Sequence, residues 1–212
     1  SFTASNRVIM DAEDEAGDDL AAGDKTGTAT GEPLAFYDVG IMSTFVSASE
    51  SMTVGADGTN DDDTVTLTLV FDVEAFDGTV YVSNTATSST VADGGVTVLD
   101  VDTGGISYRY EIDGTASVNF LSHVVSKSNT IGTIDDQQAS GADGGEYTFE
   151  DGEKARITLT VTRSGGAADT GSDGFHDMQL TAIGWSTDNE DDTMNIYEFD
   201  LDDYKTDPIF AN

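Results

Sequence analysis

Thr64-Val65-Thr66-Leu67-Thr68-Leu69-Val70-Phe71-Asp72-Val73 is the stretch that decides the fold class. In an extended chain successive side chains point to opposite faces. Val65, Leu67, Leu69, Phe71 and Val73 therefore line one face, with mostly Thr and Asp on the other. A strand with one apolar and one polar face belongs to an antiparallel sheet that has a solvated side. Ile106-Ser107-Tyr108-Arg109-Tyr110-Glu111-Ile112 repeats the pattern with its aromatics inward, and so does Ala155-Arg156-Ile157-Thr158-Leu159-Thr160-Val161-Thr162-Arg163. Weaker strands are read over 36–45, 79–83, 96–101, 117–121, 178–185 and 195–201. Helical periodicity is nearly absent.

The punctuation agrees. Asp-Gly pairs stand at Asp57, Asp77, Asp93, Asp113, Asp143, Asp151 and Asp173, each followed by Gly, and this pair accepts the positive φ angles of tight hairpins. Only two Pro interrupt the chain. About nine short strands with such turns predict an all-β protein, a single antiparallel β-sandwich of jelly-roll or Greek-key type.

Of 212 residues, 41 are Asp or Glu and eight are Lys or Arg, a formal charge of -33. Such a surface excludes nucleic acid and anionic membranes as partners, since both demand basic side chains. Two physical readings of the acidity remain open together: a halophilic surface screened by salt, and binding of calcium, which takes many oxygen ligands. No cysteine is present, so disulfides and thiolate chemistry are excluded. No apolar run reaches the length of a membrane helix, so no membrane insertion is expected. The start at Ser1, without Met, is read as that of an exported, extracellular or cell-surface chain from which an N-terminal segment has been removed.

The chain divides into an extended strand over 1–10, an acidic linker over 11–33 and a β-sandwich domain over 34–212. Phe2, Ala4, Val8 and Met10 carry the apolar side chains of the first piece. A short apolar strand on a polar tether must bury them, either in its own sandwich or as an added strand in the sheet of a neighbouring copy. A second polar stretch, 129–146, reads as a surface loop.

No catalytic constellation emerges. The two histidines, His123 and His176, lie far apart, each in a strand-like segment. Ser122 is no partner for His123, because neighbours in a strand face opposite ways. With 41 acids some carboxylates must lie close, so pairing alone carries no signal for glycoside hydrolysis. The expectation is a protein that is not an enzyme. Cation loops are better candidates: Asp57, Asn60, Asp61, Asp62 and Asp63 before the strongest strand, and Asp188, Asn189, Asp191 and Asp192 further on. Either set can supply the 6–8 oxygens that calcium takes, although neither has EF-hand spacing. Asp11, Glu13, Asp14, Asp18 and Asp19 load the linker in the same way.

The opening Ser1-Phe2-Thr3-Ala4-Ser5-Asn6 resembles the mature start of TasA/camelysin-type surface fibre proteins. Leu34-Ala35-Phe36-Tyr37-Asp38-Val39-Gly40, opening the β-rich body, is also compatible with secreted filament subunits of that sort. The plan of leader strand, acidic linker and calcium-prone loops is similar to that of archaeal cannula subunits. Both resemblances imply a jelly-roll-like sandwich that polymerises when one subunit's N-terminal strand enters the next. The expectation is thus a calcium-supported homopolymer of identical subunits forming an extracellular filament or tube. Its rivals are a virion coat or decoration protein and a monomeric calcium- or carbohydrate-binding module.

Overall fold

The computed structural model describes residues 38–55, 63–90, 99–100, 104–119, 121–128, 135–137, 145–164, 173–188, 193–200 and 203–211. All lie in one unit, Asp38–Asn212. The acidic linker, Phe2, Ala4, Val8, Met10 and most of the cation loops fall outside the described residues. Among those residues there are fourteen strands and no helix: β1 (Gly40–Thr53), β2 (Thr64–Phe76), β3 (Val80–Ser83), β4 (Ala86–Ser88), β5 (Leu99–Asp100), β6 (Ile106–Ile112), β7 (Thr115–Ala116), β8 (Leu121–Ser128), β9 (Asp135–Gln137), β10 (Glu146–Phe149), β11 (Lys154–Ser164), β12 (Gly174–Ser186), β13 (Thr193–Glu198) and β14 (Ile209–Ala211).

They make two sheets. One runs β1-β2-β11-β8, antiparallel throughout. The other runs β4-β6-β12-β3-β10-β9, with β13 and β14 added to β12, β7 to β6 and β5 to β13. One pair, β4 with β6, is parallel, so the second sheet is mixed, where the sequence pattern suggested antiparallel pairing alone.

The period-2 reading holds residue by residue over the stretches read in β2 and β11. Val65, Leu67, Leu69, Phe71 and Val73 of β2 are buried, as are Ala155, Ile157, Leu159 and Val161 of β11. They share one apolar cluster with Tyr108 and Tyr110 of β6, Met178 and Leu180 of β12, and Phe149 of β10. The inner faces of both sheets thus bury a common core, a sandwich-like arrangement in which each fully buried aliphatic side chain contributes about 1.5–3 kcal/mol. On the outer face of β2 and β11 a polar ladder runs: Thr66 faces Thr162 at 3.5 Å, Thr68 faces Thr160 at 3.4 Å, and Arg156 holds both oxygens of Asp72 at 2.8 and 3.2 Å. Such cross-strand pairs add register more than stability.

Turn chemistry closes hairpins as expected. Asp113 and Gly114 both take positive φ, 49° and 73°, and join Ile112 directly to its partner Thr115. Elsewhere the structure departs from the sequence reading. The strand read over 36–45 extends to Thr53, because a bulge between Phe45 and Ser47 breaks the alternation at that point. The loop read over 129–146 contains β9 and meets β10 at Glu146; Asp135-Asp136-Gln137 has no apolar alternation to reveal it.

Candidate functional site

β1 lies at one end of the first sheet, and among the described residues no strand pairs with its outer side. At 14 residues it is about 45 Å long. The bulge decides which side chains face the core. Ile41, Ser43 and Phe45 stand opposite the inward residues Ala75, Val73 and Phe71 of β2. Beyond the bulge the phase shifts by one, and Ala48, Glu50 and Met52 take over, opposite Leu69, Leu67 and Val65. An unbroken strand would have put Ser47, Ser49 and Ser51 there. Along this strand and just past its end Met42 is 56 % exposed and Val54 69 % exposed, with Val46 and Met52 also open to solvent.

Side chains from the other sheet's margin close the core along this rim. The Tyr204 ring packs against Phe45, Phe71 and Phe199 with centroids 5.5, 6.3 and 4.3 Å apart. Burial raises the Tyr204 pKa, with the Ser43 side chain and the Phe45 backbone opposing the rise. The Asp207 N–H donates to Glu50 Oε1 at 2.9 Å. These are side-chain contacts, and no backbone ladder among the described residues joins β1 to this segment.

The opposite rim, at β8, is mostly polar but exposes Val124. His123 Nδ1 and the Tyr108 hydroxyl of β6 lie 3.1 Å apart, linking the two sheets, and Lys127 Nζ sits 5.5 Å over the Tyr147 ring. Burial pushes Tyr108 up to about 12, offset in part by a hydrogen bond from Ser88, and pushes His123 below its ordinary value. Both shifts favour the uncharged forms of the pair. Ser122 points away, its hydroxyl donating to Thr162 O at 3.3 Å, so the sequence neighbours make no nucleophile–base pair.

Deeper in, Tyr110 and His176 Nδ1 lie 2.9 Å apart beside the buried Arg163, the last inward position of β11. Burial raises the Tyr110 pKa, with Arg163 opposing and Asp177 adding to the shift. On the far face of the same strands Arg109, Glu111, Asp177 and Lys205 form a charged group that the sequence reading did not single out. The signal was present: Arg109 and Glu111 are two apart in a strand, and they hold one of only eight cationic side chains in the chain.

Of the cation-loop residues, Asp63 and Asp188 are described; Asp57, Asn60, Asp61, Asp62, Asn189, Asp191 and Asp192 are not. Asp63 is buried, and its Oδ1 accepts the Gly55 N–H at 3.0 Å, tying together the two ends of the β1–β2 connection. Asp188 is exposed, and its N–H donates to Ser186 Oγ. The two stand at opposite ends of the sheets. Asp63 precedes β2, whereas Ser186 pairs with Tyr81, just past the other end of that 13-residue, roughly 43 Å strand. They belong to separate loops. Among the described residues no three His, Cys, Asp or Glu side chains converge as a metal site, and no helix is long and apolar enough to cross a membrane.

Comparison with known proteins returns no matching family model, no matching curated protein and no matching solved structure.

Proposed function

We propose that this protein is a structural subunit that assembles with identical copies by β-strand addition, forming an extracellular filament or tube. The observation that carries the reading is β1: a 14-residue edge strand with no described partner on its outer side, with Met42, Val46 and Met52 exposed along it and Val54 just past its end. An edge of this kind templates pairing with another chain, and main-chain hydrogen bonds then supply affinity while side chains set register. Residues 1–10 are the matching strand, with Phe2, Ala4, Val8 and Met10 entering a neighbouring subunit. The sandwich is of the jelly-roll type in this reading.

The charge of -33 supplies control. Like-charged subunits repel until salt or calcium screens them. Calcium at Asp57, Asn60, Asp61, Asp62 and Asp63 and at Asp188, Asn189, Asp191 and Asp192 would remove repulsion locally. Electron microscopy of the purified chain with calcium and with a chelator tests this. Calcium-dependent filaments or tubes support it; monodisperse protein with a saturable ligand would favour a binding module instead.

A further inference from the structure

Lys205 is fixed on the outer face of the larger sheet by the backbone on both sides of it. The Leu180 N–H donates to Tyr204 O and the Thr206 N–H to Met178 O, each at 2.9 Å, while the Thr206 hydroxyl accepts the Met178 N–H at 2.9 Å. This register sets Lys205 opposite Gln179 and brings its ammonium to 3.7 Å from Asp177 Oδ1 and 4.0 Å from Glu111 Oε2. Asp177 and Glu111 are themselves directly opposed across β12 and β6. Arg109 Nε holds the other Glu111 oxygen at 2.5 Å. The Asp177 and Glu111 side chains are 10 % and 15 % exposed, and Lys205 is 29 % exposed.

A lysine that only anchors this segment needs one carboxylate, and two directly opposed carboxylates destabilise a sheet. An amine, a shielded carboxyl and a second carboxyl able to carry protons are the components for forming an amide. We propose that Lys205 and Asp177 become joined by an intramolecular isopeptide bond, with Glu111 as the proton carrier. Burial raises the Asp177 pKa, Lys205 opposing and Glu111 adding, and this favours the neutral acid, the form that can lose a hydroxyl.

The reaction balances within these three groups. The Glu111 carboxylate takes a proton from the Lys205 ammonium, and the freed nitrogen lone pair attacks Cγ of the neutral Asp177 acid. Glu111 returns that proton to the departing hydroxyl, which leaves as water as the C–O bond breaks. It then takes the remaining surplus proton from nitrogen and releases it to solvent. No oxidant, nucleotide or metal is required. Fixed proximity replaces activation of the acid.

The test is mass spectrometry of the full-length chain. The expected result is an intact mass one water below that of the sequence, with a branched peptide joining the segments that contain Asp177 and Lys205. A succinimide at any Asp-Gly pair also removes one water, but hydroxylamine opens it and leaves the isopeptide intact. Lys205→Arg is expected to abolish the branched peptide. Glu111→Gln, shown to be folded by circular dichroism, is expected to form it about a hundredfold more slowly. Absence of the branched peptide from folded, long-incubated protein overturns the proposal. Its formation at an unchanged rate in Glu111→Gln overturns the role of Glu111.

Discussion

The Phe45 ring meets Tyr204 edge-on, centroids 5.5 Å apart and planes at 80°, so the bulged edge strand of one sheet is held to the margin of the other by an aromatic contact. Phe45 closes the first inward phase of β1, and beyond the bulge the rim passes to Ala48 and Glu50.

Removing the Tyr204 ring is therefore costly. Tyr204→Ala is expected to destabilise the protein by about 3–5 kcal/mol, the range for deleting a buried aromatic. Tyr204→Phe, which keeps the ring and removes only the hydroxyl, is expected to cost no more than about 1 kcal/mol. Urea unfolding in high salt measures both.

The bond between Tyr108 and His123 predicts a pH dependence. Burial holds the folded His123 pKa below 6.5. As pH falls through that value the unfolded chain takes up the proton first, so the stability contribution is complete above it and is lost toward acid. His123→Gln retains a polar group at the site and cannot titrate. Its stability is expected to decline less than that of the parent between neutral pH and the onset of carboxylate titration, by chemical denaturation at a series of pH values.

Salt is expected to stabilise the folded chain. Surface ion pairs, such as Lys154–Glu74 at 2.6 Å, weaken with salt, but exposed pairs are each worth about 0–1 kcal/mol. Self-repulsion from a charge of -33 is the larger effect, and molar salt screens it to about 3 Å. A melting temperature that rises from low to molar NaCl is the expected outcome. A falling one would mean that the ion pairs dominate.

Much of the fold was legible in single strands. The alternation in β2 and β11 identified the inward residues from Val65 to Val73 and from Ala155 to Val161 because nothing interrupts the pleat there, and Ala75 continues that face beyond the stretch read. The strand ending at Phe45 was read short because an inserted residue reverses the phase, and no local pattern marks a bulge before its partner strand is known. β9 and β4 are brief, and tertiary pairing defines them more than composition does. The charged group of Arg109, Glu111, Asp177 and Lys205 was hidden for a different reason: Glu111 and Asp177 become neighbours through the pairing of β6 with β12, which sequence spacing does not encode.

The edge of β1 predicts a separation of folding from assembly. Met42→Lys and Val46→Lys place charge on exposed positions of the open strand and are expected to change stability by no more than about 0.5 kcal/mol. A lysine on an edge opposes strand addition. Sedimentation is expected to show these variants as folded monomers under conditions in which the parent polymerises.

The central claim is tested most directly by negative-stain electron microscopy of the full chain beside a variant lacking residues 1–10, both in calcium. The expected result is filaments or tubes from the full chain and dispersed, folded particles from the truncated one. Intact polymers formed by the truncated chain, or monomers from both, would contradict assembly by strand donation.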